Sequence, residues 1–148
     1  MVYFLGNYSK ERRKYIKKFA KENNLEIVEL GQVDLKKYYC TDPAEFLYFV
    51  KNAKIILTDS FHGAVFSILY SRPFYVLKRE DKLTSMSSRI ETLLKRFELQ
   101  GRMLKDYTQE IVLDIDYTHV DEILKGEREK SDKYLRKALD IKENEVEN

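Results

Sequence analysis

Cysteine is almost missing from this 148-residue chain: Cys40 stands alone, so no internal disulfide can form. It has no Cys or His neighbour at metal-ligand spacing, and the usage fits a reducing cytoplasm. Two prolines and five glycines are too few for an extended disordered or low-complexity segment. Tryptophan is absent, and the 13% aromatic content is carried by Tyr and Phe. No window reaches the roughly 18 apolar residues of a membrane helix. No long apolar run follows a basic N-terminus either, which argues against a signal peptide. A dominant charge is lacking too: at +2, the balance demands neither nucleic acid nor an acidic membrane. What remains, 43% apolar and 35% charged, is the composition of a soluble globular domain long enough to bury a core.

Along the chain, short β-like runs alternate with amphipathic helical ones, the pattern of a parallel α/β sheet with helices on both faces. Residues 2–5 form a first apolar run, broken by Gly6 and Asn7. Ser9 then caps a helix that buries Tyr15, Ile16, Phe19 and Ala20. Its basic run, Lys10, Arg12, Arg13, Lys14, Lys17, Lys18 and Lys21, reads as a solvated face. Residues 25–30 read as a second strand. Asp42, Pro43 and Glu45 supply the cap, first position and capping-box partner of a helix that ends near Asn52. Residues 54–57 are a third strand, with Ile55, Ile56 and Leu57 in a continuous apolar run that predicts burial on both faces. Residues 61–70 are apolar nearly all round, which predicts a deeply packed helix stopped by Pro73, and residues 74–77 a fourth strand.

Beyond a polar loop, Ser88 and Glu91 form a capping-box pattern for a helix burying Ile90, Leu93, Leu94 and Phe97, with Gly101 as its stop. Residues 103–104 and 111–113 are weaker candidates for an edge strand. Thr118 is placed to cap a short helix holding Val120, Ile123 and Leu124. A separate charged helix over 127–141 carries Tyr134, Leu135, Ala138 and Leu139 on one stripe, and residues 143–148 fray. No repeat and no internal boundary divides the chain, so 1–148 reads as one domain.

In an open parallel sheet, ligands bind beyond the carboxyl ends of the strands. The third strand delivers Thr58, Asp59 and Ser60 there, and the next helix starts at once. Its first free N–H groups and the positive end of its dipole favour an anion, and Ser60 can cap it. His62, in the first turn, can donate to a phosphate or carboxylate or move a proton near neutral pH. Gly63 lets a ligand or a neighbouring backbone approach closely. A lone histidine at a helix start also serves as a cap or a packing residue, and Asp59 equally fits a buried acceptor that orders the turn. After the fourth strand, Arg79 and the run Ser85, Met86, Ser87, Ser88, Arg89 bring hydroxyls and guanidinium forks to the same edge, suited to an anionic substrate. No metal cluster is evident.

The segment from Ile56 through Thr58, Asp59, Ser60, Phe61, His62 and Gly63 to Ile68 resembles the hallmark of the polysaccharide pyruvyl transferase family. At family-like spacing follow Arg72, Pro73 and Phe74, then Arg79, Met86, Ser87, Ser88, Arg89, Ile90, Leu93 and Leu94, and finally Arg102. The resemblance spans roughly residues 46–104. It implies a three-layer, Rossmann-like domain like the C-terminal half of a two-domain, GT-B-like enzyme, whose N-terminal domain is missing from this chain. It further implies transfer of pyruvyl from phosphoenolpyruvate to sugar hydroxyls of a bacterial surface polysaccharide, without a cofactor. On that reading His62 transfers a proton or contacts phosphate, while Asp59, Ser60, Gly63, Arg79, Ser87, Ser88 and Arg89 bind substrate. The setting would be cytoplasmic, at or near the inner face of the membrane.

Two other readings compete. A GT-B-type nucleotide-sugar glycosyltransferase could hold a diphosphate on the same edge, with Glu80 or Asp81 at the ribose. A non-catalytic module could instead present the basic run of the first helix to anionic lipid or polysaccharide. A dinucleotide dehydrogenase is disfavoured by the single Gly6 after the first strand, and nucleic-acid binding by the lack of an interleaved basic and aromatic stripe.

Overall fold

The computed structural model describes residues 2–4, 9–30, 40–78 and 85–141. Its contacts divide the chain into two units, Met1–Ile115 and Asp116–Asn148. The first is an α/β unit. Four short strands, β1 (Val2–Phe4), β2 (Val28–Leu30), β3 (Ile56–Thr58) and β4 (Phe74–Val76), form a sheet in the order β2-β1-β3-β4. All three pairings are parallel, with Phe4 opposite both Leu30 and Thr58, and Thr58 opposite Val76. Every residue of β3 and β4 is buried, as expected of strands covered on both faces. Of the two weaker edge-strand candidates, Met103 makes a single parallel bridge to Val76, while residues 111–113 adopt no strand.

Helix starts follow their caps. Ser9 accepts from the Arg12 N–H at 3.2 Å and opens α1 (Lys10–Glu22). Asp42 and Glu45 complete a reciprocal capping box, at 2.7 and 3.1 Å, for α2 (Pro43–Asn52). Ser60 caps α3 (Phe61–Leu69), which is less deeply packed than its composition predicts: Gly63, Ala64, Ser67 and Ile68 are buried while His62 and Leu69 are exposed. The next helix, α4 (Ser85–Arg96), begins a full turn before the expected start at Ser88. Ser88 is already helical, its carbonyl accepting from the Thr92 hydroxyl at 2.8 Å. Serine costs little inside a helix, so a cap-like pattern does not force a start.

Helix ends depart further from the sequence reading. Gly101 does not stop α4; it sits in a 3₁₀ turn (Gln100–Arg102), and the reversal is made by Glu98 in the left-handed region at φ 57°. The Leu99 N–H then reaches the Leu94 carbonyl at 2.8 Å, closing the helix end. Asn24 and Ser71 do the same after α1 and α3, at φ 51° and 49°. A chain with few glycines spends polar residues on these positions instead.

Two apolar layers sandwich the sheet. Ile16, Phe19 and Ala20 of α1 pack with Ile55, Leu57, Tyr75 and Leu77, joined by Leu104 and Ile111. Because strand side chains alternate, Ile56, Thr58, Phe74 and Val76 face the other way, and α3 packs there against β3 and β4. Helix α2 meets α3 edge-to-face through Phe46 and Phe66, with ring centroids 5.7 Å apart.

The second unit is one helix, α5 (Thr118–Ala138), where two were expected. Thr118 is its first residue, held by the Asp116 carboxylate, which accepts from the Thr118 N–H at 2.9 Å and its hydroxyl at 2.6 Å. Those two bonds draw the Asp116 carboxyl below the usual carboxylate range. Gly126 does not interrupt the helix, since one glycine costs only about 1 kcal/mol against alanine. Tyr134, Leu135 and Leu139 are exposed.

Candidate functional site

From β1 the chain goes to β2 on one side, and β3 and β4 lie on the other, so strand order reverses between β1 and β3. A crevice beyond the carboxyl ends at such a reversal is where open α/β sheets hold ligands. Asp59 and Ser60 follow β3 at that point, and the sequence continues directly into the first turn of α3.

The turn is built in two tiers. In the lower tier Thr58 is fully buried, and its Oγ1 accepts from the Ser60 N–H at 3.0 Å. Gly63 lies against this side chain so closely that a Cβ placed on it would come within 3.0 Å of both Thr58 Cβ and Cγ2. The glycine is thus needed for helix-to-strand contact. Asp59 is 4% exposed, and its Oδ2 lies 3.5 Å from Nη1 of Arg12, which is itself fully buried. The carboxylate therefore faces the interior, against the Arg12 guanidinium.

Arg12 departs from the expected solvated basic face: Lys10, Arg13, Lys14, Lys17, Lys18 and Lys21 are exposed, whereas Arg12 is 0% exposed. Helical spacing accounts for this. Arg12 precedes Ile16 and Phe19 by four and seven positions, the same stripe that enters the core. Its Nε donates to the Tyr107 hydroxyl at 2.9 Å, and its Nη2 donates to the Lys78 carbonyl just beyond β4. Tyr15 stacks at a tilt on Tyr107, 5.6 Å between centroids, and donates to the Gln109 carbonyl at 2.8 Å. Burial, helped by Tyr75 and Asp106, pushes the Tyr15 phenol up to about 12, which keeps it a donor.

The upper tier is open. Ser60 Oγ accepts from the Gly63 N–H at 3.4 Å, capping α3, whose first turn holds no acidic residue. His62 is exposed and stands edge-on to Phe61, at 5.9 Å between centroids and 82° between planes. The Arg89 guanidinium of α4 lies over the other partner of this pair, 4.4 Å from the Phe61 ring centroid. Two of the predicted groups, far apart in sequence, are thereby brought to one helix terminus. Ser88 is exposed beside Arg89 in sequence. Arg79 and the Ser87 side chain lie outside the described residues, as do Glu80 and Asp81. Arg102 lies elsewhere, its guanidinium 5.1 Å from the Tyr75 ring centroid.

A cavity of about 490 Å³ opens beside this site, where β4 ends, lined by Val76, Lys78, Ile90, Leu94, Met103 and Lys105 among others. Of the described site residues, Asp59, Ser60, His62, Gly63, Ser88 and Arg89 do not line it. Among the described residues no group of three His, Cys, Asp or Glu side chains could hold a metal ion, and no helix is long and apolar enough to cross a membrane.

The family model described as polysaccharide pyruvyl transferase matches residues 1–81. No curated protein and no solved structure matches the chain. The matched stretch covers more than half of the 148 residues and takes in the sheet through β4, the buried Arg12 and the whole turn with His62. This chain belongs to the polysaccharide pyruvyl transferase family.

Proposed function

We propose that the turn over residues 59–63, with Arg89, forms one wall of a site that transfers pyruvyl from phosphoenolpyruvate to hydroxyls of a bacterial surface polysaccharide. The observation that carries this reading is the gathering of His62 and Arg89 around Phe61 at a helix N-terminus whose first turn holds no acidic residue, on the switch point of the sheet. A helix terminus and a guanidinium fork together suit a ligand bearing both phosphate and carboxylate. The Rossmann-like reading is supported by the parallel order and by helices on both faces. A GT-B-like enzyme would supply the opposite wall of the cleft from a second domain. The same reading sets the reaction in the cytoplasm, close to the inner membrane face.

In the chemistry this arrangement suits, His62 as imidazolium protonates the methylene carbon of the donor, which becomes the methyl group. Positive character develops at the central carbon, and a sugar hydroxyl attacks it, losing its proton. Cleavage of the bond between that carbon and the phosphate oxygen releases phosphate. A second hydroxyl then closes the ketal and gives up its proton. The N–H groups of α3 and the Arg89 fork would stabilise the departing phosphate, and Ser60 and Ser88 add donors at the same edge.

The cavity beside β4 favours one alternative, a nucleotide-sugar glycosyltransferase, because its apolar walls suit a base while the turn holds a diphosphate. Offering phosphoenolpyruvate and nucleotide sugars separately decides between them by the shift in melting temperature. Protection by phosphoenolpyruvate, weakened by Arg89→Met, is the expected result; protection by a nucleotide sugar alone would falsify the pyruvyl-transfer reading.

A further inference from the structure

The guanidinium of Arg12 is fully buried, yet it lies directly under the edge where an anion is expected to bind. A buried arginine is retained only where it is paired, and here its acceptors come from three separate segments. Asp59 Oδ2, at 3.5 Å, follows β3. The Lys78 carbonyl follows β4, and the Tyr107 hydroxyl, at 2.9 Å, belongs to the stretch after the 3₁₀ turn. One planar fork thus ties the ends of the two strands that flank the site to the segment that closes the sheet behind them.

The pairing also decides where the Asp59 carboxylate sits. Asp59 immediately precedes the cap residue of α3, so its charge, if turned outward, would face the very N–H groups that have to receive an anion. Arg12 holds it inward and balances it. We infer that Arg12 is a positioning residue for the anion site: it fixes the turn over residues 59–63 and balances the Asp59 carboxylate next to the α3 cap. This rests on the proposed use of that turn for phosphoenolpyruvate.

The test measures phosphoenolpyruvate affinity by calorimetry on the full chain, with melting temperature and circular dichroism beside it. Arg12→Met removes the cation 3.5 Å from Asp59, and affinity is expected to fall about tenfold or more. Arg12→Lys keeps the charge but cannot span three acceptors, so the loss is about threefold. In Arg12→Met with Asp59→Asn the repelling charge is gone, and affinity returns to within about threefold of the starting chain. That recovery separates charge positioning from simple packing. A folded Arg12→Met that binds as well as the unchanged chain would overturn the inference, and so would a folded double variant no better than the single one. If Arg12→Met does not fold, Arg12→Lys carries the test, and unchanged affinity there would overturn it. If the unchanged chain fails to bind phosphoenolpyruvate, the pyruvyl-transfer reading falls by itself. The role of Arg12 is then read with inorganic phosphate and by amide exchange at Ser60 and Gly63. Exchange about tenfold faster in Arg12→Lys, with the Val50 amide unaffected, supports it, and unchanged protection overturns it.

Discussion

The lower and upper tiers of the turn over residues 59–63 lie within a few residues of each other in sequence, Arg89 apart, yet they differ in almost every physical respect. Thr58, Asp59 and Gly63 are buried and closely fitted, and each touches a group from another position in the chain or across the turn. His62 and Arg89 are exposed, and both lie against the ring of Phe61. The interior tier fixes geometry; the outer tier faces solvent, where a ligand can reach it. A site of this kind keeps the groups that react on the outside of a turn that cannot shift. Substitutions below should therefore cost stability and binding together, and substitutions above should cost function alone.

The largest effect on folding is expected at Arg12. Arg12→Met removes one member of a buried ion pair, a loss of about 3–5 kcal/mol in urea unfolding. Asp59→Asn on top of it should recover most of that loss, because a neutral pair has no charge to strand. If the single variant is as stable as the unchanged chain, the lower tier is not held by charge and the contrast between tiers weakens. Gly63→Ala comes next. Its methyl would meet the Thr58 side chain at or inside 3.0 Å, so about 1–3 kcal/mol should be lost to overpacking. Thr58→Ala in the same chain opens the space, and a double-mutant cycle should show coupling of about 1 kcal/mol or more. Additive effects would mean that helix α3 moves away freely and that the close approach has no structural weight.

Much of this arrangement is legible in the sequence, and the failures share a cause. Caps at Ser9, Asp42 and Ser60 are local, a side chain reaching its own backbone three residues on, and each lies where the residues predict. The third and fourth strands are continuous apolar runs and are found buried. Arg12 was obscured because its partners, Asp59, Lys78 and Tyr107, lie 47 to 95 positions away. The one local signal is that Arg12 falls four residues before Ile16, on the apolar stripe and off the lysine face. The end of α4 was misread for the opposite reason. Gly101 looked like a stop on identity, while the left-handed position was taken by Glu98, whose backbone closes the helix with no glycine. The pairing of Arg89 with Phe61 depends on how α4 meets α3, which no local pattern records.

Ser60 stands between the tiers and should show an intermediate cost. Its Oγ accepts a long bond, 3.4 Å, from Gly63 N–H, so Ser60→Ala should lose about 0.5–1 kcal/mol, the lower part of the range for a helix cap. Ser60→Asp should restore or exceed the unchanged stability, since a carboxylate favours a helix N-terminus. The same substitution puts a negative charge on the proposed anion site, so phosphoenolpyruvate affinity should fall while the melting temperature rises. Movement of both in the same direction would break the division between holding the turn and using it.

His62 should have the smallest effect on folding of any residue in the motif. It is exposed and its ring touches only Phe61 edge-on among the contacts described, so His62→Asn should stay within about 0.5 kcal/mol of the unchanged chain. If the imidazole transfers the proton to the donor methylene, pyruvyl transfer should drop by about 10²–10⁴-fold. The affinity for phosphoenolpyruvate should change far less, because a neutral amide still donates one hydrogen bond to the anion. A histidine that only bound phosphate would give the reverse, with affinity lost and turnover at saturation kept. The ratio of these two losses therefore assigns His62 to proton transfer or to binding, and a large loss of stability would move it out of the upper tier altogether.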